Sequence, residues 1–296
     1  MKIAVVGSIN MDQTVTAERI PLKGETLQGD SLSYIPGGKG ANQAVAMARL
    51  GAEVEMFGCV GDDSNGRMLI ENLQANGVKT AHIRKIKGIP TGLAVITVGE
   101  KDNTIIVIAG ANAQVSCEYI DSIKKELLTF DYVVMQHEIP EETVAYVTEL
   151  CYEKGIKVIL NPAPARPVSK EVLNKITWLT PNEHEAKILF GEETGTEELL
   201  KKYPEKLVIT LGSDGVAAAK KDGTVIHIPV RPAKVADTTG AGDTLNGAFC
   251  TKIAEGTGLE EALSFANTAA SLSTEKFGAQ AGMPTRNEVE QEMKKK

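Results

Sequence analysis

Short apolar runs alternate with helical patterns along most of the 296 residues, and this alternation constrains the fold more than any other feature. Near-continuous apolar strands joined by helices are typical of a parallel sheet covered on both faces. The runs predict these strands: Ile3–Val6, Val54–Cys59, Tyr132–Met135, Val158–Leu160, Trp178–Thr180 and Leu207–Thr210. Helices are predicted over Ala41–Leu50, Gly66–Asn76, Glu141–Lys154 and Asn182–Phe190. The chain is therefore expected to form an α/β fold with a doubly wound central sheet.

Glycines follow the last periodic residue of each of these helices. Glycine adopts the left-handed conformation that closes many helices, so each predicts a C-terminal cap. The four positions are Gly51, Gly77, Gly155 and Gly191.

Two stretches break the alternation. Gln13–Tyr34 has no helical period, and Thr91–Ala109 reads as a hairpin whose strands flank Gly99–Asn103. Together, about 13–35 and 91–109 predict a small separate sheet on a single domain spanning 1–296. Such a sheet exposes edges and an apolar face. We expect it to act as a lid over a cleft, to pack against another subunit as a homodimer, or both.

The composition excludes several classes of protein. A net charge of −7 argues against nucleic acid as a partner, and the one basic run, Lys294–Lys296, reads as a solvated helix end. No apolar stretch approaches the length of a signal peptide or membrane span, which predicts a cytoplasmic protein with no membrane partner. The four cysteines lack metal-site spacing and are expected to be buried free thiols: Cys59, Cys117, Cys151 and Cys250.

A glycine-rich segment, Val235–Thr244, precedes a helical pattern over Leu245–Glu255. Free N–H groups at a helix N-terminus favour an anion, and glycines let it approach the backbone. Asp243 would repel a phosphate bound there, yet its carboxylate is suited to act as the base that takes the proton of an attacking hydroxyl. The alternative is that Asp243 is only an N-terminal helix cap.

A second such segment, Pro36–Gln43, supplies Lys39 and Asn42 at the start of another helix. It matches neither the Walker A loop nor the dinucleotide fingerprint. With Asn10 and Asp12 it offers the paired donors and acceptors that bind a polyol. Alternatively, Asn10 and Asp12 are turn residues after the first strand.

Together these residues resemble the PfkB carbohydrate kinase family over essentially the whole chain. The resemblance is carried by four segments: Gly7–Asp12, Gly37–Asn42, Asn161–Ala165 and Asp237–Asp243. It implies a Rossmann-like sheet with a small β lid, and ATP-dependent phosphorylation of a small sugar, with D-ribose phosphorylated at O5 as the leading reaction. Related kinases of 2-deoxyribose, fructose or nucleosides such as adenosine keep the motif that contains Asp243, so they remain as alternatives.

Two other classes of protein remain as rivals. A non-catalytic sugar- or nucleotide-binding regulator on this fold has no need of Asp243 and its glycines. A nicotinamide oxidoreductase would carry its fingerprint after the first strand, where Gly7–Asn10 stands instead.

The resemblance also implies roles for individual residues. Asp243 would be the catalytic base, beside an anion hole of backbone amides from Gly240, Ala241 and Gly242. The sugar would contact Asn10, Met11, Asp12, Gly38, Lys39, Gly40, Ala41, Asn42 and Glu138. Two departures from the family pattern stand out: His137 beside Glu138, and a short region from Gly191 to Lys206.

For ATP and Mg²⁺, the resemblance implies Asn182 and Glu185 near the metal and phosphates, with Gly242 and Asp243 beside them. Asn267 would lie near the adenine, and a nucleotide loop would comprise Thr210, Leu211, Gly212, Ser213, Asp214 and Gly215. A K⁺ loop would use mainly the carbonyls of Asp237, Thr239, Ser273, Lys276, Gly278 and Gly282. Without the resemblance, Asn182 would be a helix cap and Glu185 an exposed first-turn acid, while Thr210–Gly215 and Asn267 would have ordinary turn and helix-surface roles.

Overall fold

The computed structural model describes residues 1–100, 102–191 and 194–295. Its strands, in chain order, are β1 (Lys2–Val6), β2 (Asn10–Thr16), β3 (Ser31–Gly37), β4 (Glu53–Gly61), β5 (Lys79–Ile86), β6 (Gly92–Gly99), β7 (Asp102–Ile108), β8 (Tyr132–Gln136), β9 (Lys157–Asn161), β10 (Trp178–Leu179), β11 (Val208–Thr210), β12 (Val216–Ala219) and β13 (Val225–Ile228).

The helices, in chain order, are α1 (Lys39–Arg49), α2 (Ser64–Ala75), α3 (Cys117–Leu127), α4 (Glu141–Lys154), α5 (Lys170–Lys175), α6 (Glu183–Phe190), α7 (Thr196–Lys202), α8 (Ala241–Ala254), α9 (Leu259–Ser273), α10 (Ala279–Gly282) and α11 (Arg286–Met293). All four glycines predicted to close helices have positive φ angles, between 71° and 94°.

The central sheet is parallel throughout, in the order β10-β9-β8-β1-β4-β5. The predicted strand Leu207–Thr210 forms β11, which joins the edge of β10 through single parallel bridges and continues antiparallel into β12 and β13. Alternate residues of β1 enter opposite hydrophobic layers: Ile3 and Val5 pack on one face, Ala4 and Val6 on the other. Burial on both faces explains why this strand is apolar at each position from Ile3 to Val6.

The two irregular stretches form the predicted lid, a four-stranded sheet in the order β3-β2-β6-β7. β6 and β7 form the predicted hairpin, and β2 pairs parallel with β6. Lys101 in the hairpin turn lies outside the described residues, as do Glu192 and Glu193 in the short region and Lys296 in the basic run.

Three of the four cysteines are buried as predicted, and Cys117 is half-buried. Burial raises the pKa of the Cys59 and Cys151 thiols to about 12. None of the helices among the described residues is long and apolar enough to cross a bilayer.

Helices α1 and α8 cross at close range at Gly247. A Cβ on Gly247 would lie 2.7 Å from the Cβ of Ala46 and 3.0 Å from the carbonyl oxygen of Gln43. A side chain here would push apart the two helices whose N-terminal turns carry Lys39 and Asp243.

Gly247→Ala should therefore destabilise the fold by about 1–3 kcal/mol, because overpacking outweighs the better helix propensity of alanine. Chemical denaturation measures this free energy of unfolding. Gly258→Ser is the control, since a Cβ at Gly258 meets nothing within 4 Å. Equal stability of Gly247→Ala and wild type would show that the crossing tolerates a methyl group.

Candidate active site

The site lies at the carboxyl ends of the central strands, where the N-terminal turns of α1 and α8 meet. Residues at the carboxyl ends of four strands bond to these two helices: Ser8 after β1, Glu138 after β8, Asn161 at the end of β9 and Thr180 after β10. Ligands of open α/β sheets bind at this edge.

Glycine lets α1 begin against the end of β1. Gly38, with φ of 89°, precedes the helix, and a Cβ on it would lie 2.7 Å from the amide nitrogen of Asn10. A Cβ on Gly40 would lie 2.6 Å from the amide nitrogen of Ser8. The glycine-rich spacing of this segment thus brings Lys39 and Asn42 next to the residues after β1.

Asp243 lies in the first turn of α8 but does not cap it, so the alternative assignment as a cap is wrong. The N-cap is Gly240, in the left-handed conformation, and no side chain caps the first amides of the helix. The buried Asp243 carboxylate instead accepts hydrogen bonds from Asn42 Nδ2 at 2.9 Å and Gln43 Nε2 at 3.0 Å. Both carboxylate oxygens are therefore fixed by side chains of α1.

Lys39 is surrounded by carboxylates. Burial alone would lower the pKa of its ammonium group, but the carboxylates outweigh burial and hold the pKa above its ordinary value. The four carboxylates are those of Asp243, Glu138, Glu185 and Asp12. Lys39 therefore stays charged and offsets the repulsion among them.

Asp12 and Glu138 line one cavity, which lies between the lid and the central sheet. Burial, then the charges of Glu138 and Asp243, raise the pKa of Asp12 to about 7. Glu138 Oε2 accepts hydrogen bonds from Ser8 Oγ at 2.5 Å and from the Lys39 amide at 3.1 Å. The Asn10 side chain is oriented by Asn112, whose Nδ2 donates to Asn10 Oδ1 at 2.6 Å.

A cavity of about 690 Å³ between the lid and the sheet brings together most of the predicted sugar residues. It is lined by Asn10, Asp12, Gly38, Lys39, Asn42, Glu138, Gly240 and Asp243. Three predicted contacts do not line it. The Met11 side chain is buried in the core because it points to the opposite face of β2, and Gly40 and Ala41 are buried within α1.

The lid adds apolar residues to this cavity that sequence reasoning missed: Ile96, Ile105 and Val107. They share one face of the sheet with Asp12 and Ala94, as the strand register requires. Alternation in the hairpin could have identified this face once the register was known.

A groove of about 640 Å³ holds most of the predicted nucleotide residues: Thr210, Gly212, Ser213, Gly215, Ala241, Gly242 and Asn267. Leu211 packs against the hydrophobic core and Asp214 is exposed, and neither lines the groove. Asn267 is buried, and its Nδ2 donates to the carbonyl of Pro229 at 2.8 Å. Its amide thus orders the chain after β13, which forms the wall that sequence reasoning missed: Val230, Arg231, Pro232, Ala233 and Val235.

A narrow cleft connects this groove to the sugar cavity, and Lys39, Asn182, Glu185, Gly242 and Asp243 line it. Asn182 is the N-cap of α6 in a capping box with Glu185, so its alternative assignment as a cap is confirmed. Glu185 is 9% exposed, which contradicts the expectation of an exposed acid, and burial raises its pKa.

Two of the three amides predicted for the anion hole have no acceptor among the described residues, those of Gly240 and Gly242. The Ala241 N–H donates to the carbonyl of Thr238 at 3.2 Å. A Cβ on Gly242 would meet nothing within 4 Å, so the backbone there is open to the cleft.

The six predicted cation-loop residues converge behind this turn. Asp237 accepts hydrogen bonds from the amides of Thr239 and Gly278, which outweigh burial and lower its pKa. The carbonyls of Ser273 and Lys276 approach Gly282 so closely that a Cβ there would lie 2.2 Å and 3.4 Å from their oxygens. The Lys276 side chain is exposed, and its ammonium group lies 4.0 Å from the Glu288 carboxylate.

His137 also borders the sugar cavity, beside Glu138. It is 6% exposed, and burial together with the charge of Arg166 lowers its pKa to about 4. The imidazole is therefore neutral at physiological pH.

Comparison with known proteins agrees with this geometry. The model of the pfkB family carbohydrate kinases matches residues 1–286. Ribokinase of Bacillus subtilis is 51% identical over 291 residues, covering 98% of each chain. Deoxyribokinase of Salmonella typhimurium is 35% identical, covering 96% of each chain.

The solved structure of Arabidopsis thaliana ribokinase with ribose and ATP superposes with a TM-score of 0.89. It is 34% identical and covers 98% of this chain and 97% of its own. A family match over nearly the whole chain and close relatives of full length lead to one conclusion: the chain belongs to the PfkB family of carbohydrate kinases.

Proposed function

We propose that this chain transfers the γ-phosphoryl group of ATP to O5 of D-ribose, giving D-ribose 5-phosphate and ADP. The observation that carries the proposal is the position of Asp243, which lies where the sugar cavity meets the cleft that leads to the nucleotide groove. The ribokinases of Bacillus subtilis and Arabidopsis thaliana, alike in sequence over nearly the whole chain, support ribose as the acceptor.

In this reaction, Asp243 accepts the proton of the O5 hydroxyl as that oxygen attacks the γ-phosphorus. A bond forms between O5 and phosphorus, the bond from phosphorus to the bridging oxygen breaks, and ADP leaves with the electron pair. The free N–H groups of Gly240 and Gly242 donate to the charged phosphoryl oxygens, aided by the N-terminus of α8. Asn10, Asp12, Asn42 and Glu138 hold the other sugar hydroxyls.

Magnesium fits the cleft beside Glu185. No group of three or more His, Cys, Asp or Glu side chains in the described ranges forms a metal site. Mg²⁺ commonly binds one or two carboxylates, water and substrate phosphates, and the buried Glu185 carboxylate supplies one such ligand. When bound, the ion offsets the charge of the nucleotide phosphates.

Potassium fits the loop behind the anion hole. The converging carbonyls of Ser273 and Lys276 and the Asp237 carboxylate offer the oxygen ligands that a hard cation prefers. Because Asp237 is bonded to the amides of Thr239 and Gly278, the loop is ordered by the chain's own bonds.

2-Deoxyribose is the second candidate acceptor, favoured by the similarity to Salmonella typhimurium deoxyribokinase. The two sugars differ by one hydroxyl, so a polar group that binds O2 would favour ribose.

We also propose a cytoplasmic homodimer whose interface includes the lid. The face of the lid opposite the sugar cavity exposes apolar side chains, among them Tyr34, which is 51% exposed, and Ile106, which is 66% exposed.

ADP release from ATP and Mg²⁺, with K⁺ present, should be fast with D-ribose and slower with 2-deoxy-D-ribose, D-fructose and adenosine. Asp243→Asn should lower kcat by about 10²–10⁴-fold, the contribution of a general base, while KM changes little. Normal turnover in Asp243→Asn would exclude its role as the base. A folded wild type that binds ATP and releases no ADP with any acceptor would point to a binding protein instead.

Asp12 should make stability depend on pH. Its pKa of about 7 in the folded protein exceeds the ordinary value of 3.8, so the folded state binds this proton more tightly than the unfolded chain. The stabilisation is complete below about pH 4 and is lost as pH rises towards about 7. The melting temperature of Asp12→Asn relative to wild type should therefore rise across this range and level off above it. A constant difference would contradict the raised pKa.

Ile106→Asp should convert the homodimer to a monomer, because it places a charge on the apolar face of the lid that we propose to be buried in the interface. Light scattering at micromolar concentration measures the mass. Met68→Asp, at a methionine that is 50% exposed on α2, is the control and should remain dimeric. A monomeric wild type would refute the interface.

A further inference from the structure

Side-chain amides form a chain that begins on α2 and ends at the Asp243 carboxylate. Asn72 Nδ2 donates to Gln280 Oε1 at 2.7 Å, and Gln280 Nε2 donates to Asn42 Oδ1 at 3.0 Å. Asn42 Nδ2 then donates to Asp243 Oδ2 at 2.9 Å. Each amide thus donates towards the carboxylate. Asn42 and Gln280 accept from the residue behind them in the chain, and Asn72 Oδ1 accepts from Asn76 Nδ2 at 3.5 Å.

A second, shorter chain reaches the other carboxylate oxygen. Gln136 Nε2 donates to Gln43 Oε1 at 2.7 Å, and Gln43 Nε2 donates to Asp243 Oδ1 at 3.0 Å. Asn42, Gln43, Gln136 and Gln280 are all less than a tenth exposed. Water therefore has little access to replace a lost partner, and a mismatched amide would leave a buried polar group unpaired.

The direction of the first chain follows from its end point. An ionised carboxylate only accepts hydrogen bonds, so Asn42 must turn its NH₂ group towards Asp243. Its carbonyl oxygen then needs a donor, which forces the same orientation on Gln280 and in turn on Asn72. Asn72 is half-buried, so the chain starts near the surface.

We propose that Gln280, oriented by Asn72, is a positioning residue that fixes the Asp243 carboxylate through Asn42. This inference rests on the proposed kinase function, in which Asp243 must aim one lone pair at the O5 hydroxyl. Neither Gln280 nor Asn72 lines the sugar cavity, the cleft or the nucleotide groove. Their effect on turnover would therefore pass through the orientation of Asn42 and Asp243.

Asn72→Asp tests the direction of the chain. An aspartate carboxylate at position 72 can only accept hydrogen bonds. Gln280 would therefore turn its NH₂ group towards residue 72 and present its carbonyl oxygen to Asn42. The kcat of Asn72→Asp should fall about tenfold, the cost of disturbing a hydrogen bond to a charged group, with KM for ATP unchanged. Asn72→Ala does not force the Gln280 amide to reverse its orientation, so it should keep kcat within about threefold of wild type.

Gln74→Glu is the matched control, because it makes the same change of an amide to a carboxylate on the exposed surface of α2. It should keep the wild-type kcat. If Asn72→Ala and Asn72→Asp lowered kcat equally, in proportion to their loss of thermal stability, the role of Asn72 would be structural and the inference overturned.

A readout independent of activity separates this inference from the proposed function. In protein labelled with [¹⁵N]asparagine, the side-chain amide signal of Asn42, assigned from its absence in Asn42→Asp, should shift in Asn72→Asp and stay in place in Gln74→Glu. An unmoved signal in Asn72→Asp would overturn the chain whatever the activity. A shifted signal in a wild type that is inert towards ribose would support the chain and contradict the ribokinase function.

Discussion

The structure depends on holding a carboxylate in place where two helix N-termini meet. Asp243 lies at the start of α8, and its oxygens are bound by Asn42 and Gln43 at the start of α1. Both helices carry partial positive charge at these ends, which stabilises the carboxylate and the phosphoryl group that is proposed to arrive beside it. The close crossing at Gly247 keeps the two ends together.

The charge around this point is balanced by a single ammonium group. Asp12, Glu138, Glu185 and Asp243 surround Lys39. Burial, and then the charges of Glu138 and Asp243, raise the pKa of Asp12 more than Lys39 lowers it. A substrate that donates hydroxyl hydrogens to these carboxylates relieves part of the remaining repulsion. The pocket is thus suited to a neutral polyol and unsuited to an anionic sugar at the end nearest Asp12.

Local patterns sufficed to predict the lid, the glycine-rich turns and five of the six strands of the central sheet. They missed β5, an edge strand with no fully buried residue, and Leu207–Thr210 forms β11 of a separate sheet. β1 is apolar at each buried position because both faces are covered, and Gly155 ends α4 in the left-handed conformation. Asp243 was identified because a carboxylate in an anion-binding turn is an electrostatic conflict. Its neighbours were harder to predict: Gln280 lies 238 residues from Asn42, and no local pattern connects them.

Errors arose where a motif places a residue without showing which way its side chain points. Met11 lies in the sugar motif between Asn10 and Asp12, but strand alternation sends its side chain into the core. Leu211 lies in the predicted nucleotide loop, directly after β11, and packs against the hydrophobic core.

The lid has two apolar faces, and each calls for a different partner. Val107 and Ile105 face the sugar cavity, while Ile106 between them faces away. All three are more than half exposed, which is unfavourable for an isolated sheet in water. Closure over the sugar, as we propose, would bury the first face and remove water from the hydroxyl that reacts. A second copy of this chain suits the other face, because its lid presents the same apolar side chains. An association of this kind would stiffen β7 at the edge of the sheet and would couple assembly to the shape of the sugar pocket.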